Sequence, residues 1–134
     1  IGSSLLNWFY HEQSGEVNGF NNHLWNGVTT LNFANVINGM IENNYDAGLI
    51  QHLIPSDIVT KYELLLLFAN YFNKEISINK SEADTVINRT LSTLDPKQNK
   101  VLWNFGGYSK IPTVEENIKE LSNHGLTQEL LVQH

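Results

Sequence analysis

"NHLWNGVTTLNFANVI", residues 22–37, changes character halfway along. Its first half gathers His23, Trp25 and the pair Asn26-Gly27, which favours a tight turn because glycine accepts positive φ and asparagine bonds to nearby backbone. Its second half sets Phe33 and Ile37 at helical spacing, continued by Met40 and Ile41. Thr29 or Thr30 stands in front, and either can cap a helix start. Bulky and hydrogen-bonding side chains at a helix mouth have two readings. Trp25 plugs a core, or it joins Asn22, Asn26 and the positive end of the helix dipole to meet a polar ligand carrying a planar ring. The residues themselves leave both open.

Working outward, Leu5, Leu6 and Phe9 predict a helix from Ser4 to about Gln13, capped by Ser3 or Ser4 and stopped by Ser14-Gly15. "EVNGF" at Glu16–Phe20 reads as extended. Downstream, Gly39 is expected to weaken its helix by about 1 kcal/mol relative to alanine, and Asn43-Asn44 to end it. "GLIQHLI" at Gly48–Ile54, closed by Pro55, reads as a buried strand with His52 as a hydrogen-bonded core residue. "TKYE" at Thr60–Glu63 is a capping box, opening a helix through about Asn73 that is apolar nearly all round. Such a helix needs cover on several sides. A chain this short has little to supply it, so a missing partner is expected.

Ile76–Ile78 predicts a short strand and "INRTLSTL" an irregular stretch. Asp95-Pro96 starts a short helix, and "NFGGYSKIP" is loop. Thr113 and Glu116 form a second capping box, opening a helix with Val114, Ile118 and Leu121 on one face. Glu115 and Lys119 stand in the favourable order for an exposed helix pair. No repeat and no low-complexity linker interrupts the pattern. The class is α/β, mostly helices with a few short strands.

The 134 residues suffice for one domain, and the missing cysteines exclude disulfides and thiolate metal sites. A net charge of -6, with seven lysines and the single arginine Arg89, argues against a nucleic-acid groove. No apolar run approaches the roughly 20 residues that span a bilayer, the longest being "LLLLFA" at Leu64–Ala69. No secretory leader is visible, so a cytoplasmic protein is expected. The chain begins at Ile1 rather than Met, and we expect a piece of something longer. The sequons at Asn79 and Asn88 read as chance products of abundant asparagine.

No HxH, HExxH, G-x-S-x-G or phosphate-cradling glycine motif occurs, so no metal site is expected. Arg89 is more informative: its guanidinium can fork onto two phosphate or carboxylate oxygens as an ammonium cannot. It also reads as an ordinary ion pair.

Taken in order, these pieces resemble the C-terminal half of the dTDP-4-dehydrorhamnose reductase family of extended short-chain dehydrogenases. "NGVTTLNFANVI" looks like the family's G-x-P-T stretch and following helix, matching at Gly27 and Thr30 with Thr29 in place of proline. "GLIQHLI…TKYELLLLFANYF" is similar to its G-x-Y-H-x strand and S-x-Y-E-type helix start, with Ile50-Gln51 before His52. "NRTLSTL" resembles R-P-x-N-S-x-L, keeping Arg89 and Ser92, one residue shorter and with Thr90 for proline. "IPTVEENIKEL" is similar to the closing helix.

The resemblance, spanning about Leu5 to Leu121, implies that residues 1–134 form the sugar-nucleotide-binding portion of a Rossmann-type reductase, the Rossmann half being absent from this chain. Family members bind NADPH or NADH through a Gly-rich turn and reduce a sugar ketone with a Tyr-x-x-x-Lys pair. Neither occurs here, so this chain alone is expected to bind no cofactor and to be inactive. Arg89 would help hold the diphosphate, and Trp25, Asn26, Asn22 and Thr30 would line the substrate cleft. The implied partners are a nucleotide sugar, the missing Rossmann domain and a second copy in a homo-oligomer. The same half of an epimerase or dehydratase, or a non-catalytic regulatory subunit that binds sugar nucleotides, carries the same features.

Overall fold

Three helices start on one device. Thr29, Thr60 and Thr113 each accept the backbone N–H three residues on, at 3.0–3.1 Å, from Asn32, Glu63 and Glu116. Each of those residues returns a side-chain oxygen to the threonine N–H at 2.9–3.0 Å. Two otherwise orphaned donors are thereby satisfied at every start.

The structure is a computed structural model describing residues 2–45, 53–90 and 95–124. The elements run α1 (Gly2–His11), β1 (Glu16–Phe20), β2 (His23–Trp25), α2 (Thr30–Glu42), β3 (Val59–Thr60), α3 (Lys61–Tyr71), β4 (Ser77–Ser81), β5 (Ile87–Arg89), α4 (Pro96–Phe105) and α5 (Val114–Asn123). Strand β1 pairs with β4 in parallel. In the second sheet β2 is central, antiparallel to β3 and parallel to β5.

Helix α1 begins at Gly2, ahead of both serines expected to cap it. Residues 87–89 form β5 rather than an irregular stretch. Three residues are too few to show an alternation, and their order comes from the partner strand. Residues 46–52, including His52, and 91–94, including Ser92, lie outside the described residues. Leu53 and Ile54 are described but belong to no strand. Asn99 of α4 replaces a neighbouring strand there: its Oδ1 accepts the Ile54 N–H at 3.1 Å and its Nδ2 donates to the Ile54 carbonyl at 3.2 Å.

One core forms around α3. Leu64, Leu65 and Phe68 meet Leu6 and Phe9 of α1, Val17 of β1, and Val114, Ile118 and Leu121 of α5. The chain's own elements therefore cover α3 on several sides, correcting the expectation that it lacks cover; Leu66 alone of its leucines is left 42% exposed. Glu115 Oε2 accepts the Tyr71 hydroxyl at 2.6 Å, joining α5 to α3 instead of pairing with Lys119.

Lys74, beyond the end of α3, donates Nζ to the carbonyls of Tyr10 and Glu12, both at 2.5 Å. These carbonyls at the end of α1 have no intrahelical partner, and a cation there also meets the helix dipole. Lys74→Met keeps the stem and removes the donors. It should cost about 2 kcal/mol, the range for charged hydrogen bonds. Urea unfolding would show this as a lower midpoint with an unchanged slope.

The second core joins α2 to α4 through Val36, Met40, Leu102 and Trp103, with Val28 and Leu53. Ile37 and Ile41, expected on the buried face, are 44% and 69% exposed. The helix is turned so that Gly39 meets α4: a Cβ on Gly39 would overlap the Phe105 carbonyl. Packing closeness selects this face over the longer apolar side chains.

Candidate functional site

Strand β2 carries the centre of the candidate site. Register sets Trp25 opposite Val59 on one side and Arg89 on the other. Two residues far apart in the chain thus become lateral neighbours, held by backbone pairing. Trp25 is partly buried against the α3 core. Its indole lies against Gly27, where a Cβ would overlap the ring. Glycine is required at that corner to let the turn fold back over the tryptophan.

The other expected residues divide between scaffold and surface. The Asn22 carboxamide is committed to Ala83, donating to its carbonyl at 2.8 Å and accepting its N–H at 3.0 Å. That pair ties the β1–β2 turn to the segment after β4. Asn26 is buried, at 3% exposure, and is engaged in an interaction within the protein. Thr29 is the cap, so Thr30 becomes the first helical residue and is exposed. Reciprocal capping takes the N–H groups of Thr29 and Asn32. Those of Thr30 and Leu31 keep no intrahelical partner, as helix geometry requires.

A strand–turn–helix unit is where a dinucleotide pyrophosphate sits in Rossmann folds. The turn after β2 does not fit one. Its glycine is covered by Trp25 and its capping donors are taken by Thr29 and Asn32. Among the described residues no group of three histidine or acidic side chains could hold a metal ion.

A second polar centre, with none of the sequence-based candidates in it, joins α2, α5 and Tyr108. Asn32, fully buried, donates Nδ2 to the Tyr108 hydroxyl at 2.9 Å and to Asn117 Oδ1 at 3.1 Å. Asn35 Nδ2 donates to the same hydroxyl at 3.0 Å, and that hydroxyl donates to Glu120 Oε1 at 2.7 Å. Burial, then the bond to Glu120, pushes the Tyr108 phenol above its ordinary pKa. The ring stands edge-on to Trp103, centroids 5.0 Å apart. The available signal was Asn117 on the apolar face Val114–Ile118–Leu121, where an unexplained amide marks a buried partner.

The class defined so far is a small α/β domain whose short parallel strand pairs are packed on helices. No family model and no curated protein matches the chain. Among solved structures, the crystal structure of a dTDP-4-dehydrorhamnose reductase from Clostridium acetobutylicum is similar, with a TM-score of 0.55 at 13% identity. The match covers 90% of this chain and 41% of that one, so this chain spans less than half the length of that reductase. The likeness is one of fold. Among the described residues no helix is long and apolar enough to cross a membrane.

Proposed function

We propose that this chain is the sugar-nucleotide-binding portion of an NAD(P)H-dependent reductase acting on a nucleotide-linked 4-keto sugar. In this reading the cofactor and the proton-donating tyrosine belong to a Rossmann domain elsewhere in the protein. The carrying observation is the β2–β5 register, which sets the lone arginine beside Trp25 at the entry to α2. The fold likeness to a reductase supports the reading. Arg89 grips the diphosphate, for which a planar bidentate donor is suited. Trp25 offers an edge or face to the base.

The test is calorimetric titration of the 134-residue chain with dTDP and with a dTDP-sugar. Saturable binding is expected, and Arg89→Ala should weaken it about tenfold, equivalent to roughly 1.4 kcal/mol, without moving the melting temperature. Absence of binding, or equal binding by the variant, defeats the reading.

A further inference from the structure

We propose that the recess between α5 and the 107–112 loop is a binding site for a small neutral polyol, such as a single pyranose or cyclitol ring. Its lining includes neither Trp25 nor Arg89, and the proposal stands independently of the reading above. The recess, of about 290 Å³, is lined by Tyr108, Lys110, Asn117 and Glu120 among others. That is the low end of ligand-pocket volumes, suited to one small ring.

The decisive observation is Asn117. This residue is 2% exposed, and its Nδ2 is buried without a hydrogen-bond partner. Its Oδ1 is held by Asn32, so the amide orientation is set, and Asn117 is one of the residues lining the recess. A buried donor without an acceptor is costly, and an incoming oxygen relieves that cost. One helical turn on, Glu120 spends Oε1 on Tyr108 and Asn32. Its Oε2 takes no partner among the described residues. A donor and an acceptor three residues apart lie on one helix face, the pairing that adjacent hydroxyl groups satisfy because each hydroxyl both gives and accepts a hydrogen bond.

Charge selects against the other ligand classes. Glu120 repels an anion. A cation finds Glu116 already paired with Lys110 at 3.5 Å and faces the Asn117 donor. A neutral hydroxylated ligand meets neither penalty. A wider adjoining recess of about 440 Å³, sharing Glu116 and Glu120 and reaching Lys119 and Asn123, gives a longer ligand room to continue.

The experiment is a titration of the ¹⁵N-labelled chain with D-glucose and with myo-inositol, read in amide correlation spectra. Saturable shifts are expected in the Asn117 side-chain amide and the backbone amides of Tyr108–Lys110. Glu120→Gln keeps an oxygen for Tyr108 but turns the outer acceptor into a donor, and should weaken binding about tenfold. Ser109→Trp places a ring at the exposed rim and should abolish it by filling the recess. Dispersed spectra of both variants establish that they fold. No saturable shift with either probe overturns the proposal, as do shifts unchanged in both variants. Shifts centred on Trp25 and Asn26 overturn it too, while leaving the nucleotide reading standing.

Discussion

Gly39→Ala lowers the unfolding free energy by about 3 kcal/mol, the upper range for overpacked sites, although helix propensity alone favours alanine by about 1 kcal/mol. The sign reverses because the added methyl would overlap the Phe105 carbonyl. That obstacle is backbone, at the last residue of α4, and cannot rotate away as a side chain would. Relief needs the two helices to separate, which loosens Val36 and Met40 from Leu102 and Trp103. Denaturant unfolding of the variant against the parent decides the matter. A gain in stability would mean that α2 and α4 do not approach as described.

Trp103→Ala should be the most damaging single truncation, costing about 4 kcal/mol, as large aromatic truncations do. Trp103 is fully buried, and its Nε1 donates to the Ile54 carbonyl at 2.8 Å. The truncation therefore opens a cavity and also removes one of the two donors holding Ile54. Trp103→Phe separates these effects: it keeps most of the ring and loses the donor, so about 1–2 kcal/mol is expected. Equal losses in the two variants would assign the whole effect to the hydrogen bond. A cost below that of Trp103→Phe in the alanine variant would remove Trp103 from the core.

Capping was the most legible part of the fold. Thr60 with Glu63 and Thr113 with Glu116 are local patterns whose chemistry is complete within four residues, and both helices start where those patterns place them. Long-range order was less legible. Nothing within Ile87–Arg89 marks a strand, because its partner β2 lies far upstream. The packed face of α2 differs from the one periodicity predicts for a related reason. Periodicity weighs Ile37 and Ile41 by their apolarity, whereas the packed face is set by how closely Gly39 lets α4 approach.

At the candidate site, Trp25 and Arg89 stood out by residue type alone, but only the register makes them neighbours. Asn22 stands out as a polar residue near the helix mouth, and only the fold shows that its carboxamide bonds to Ala83. Asn32, Asn117 and Glu120 carry no such signal, because a lone amide or carboxylate on an amphipathic helix is ordinary until its partners are known.

Both parallel ladders have a consequence for how the chain assembles. Each joins a segment before α2 to one after α3, so either one must first close a loop containing both helices, a slow step. Once one ladder has formed, the second inherits that closure at little further entropic cost. The two sheets should therefore form as one cooperative event, and a backbone cut between them would forfeit both together.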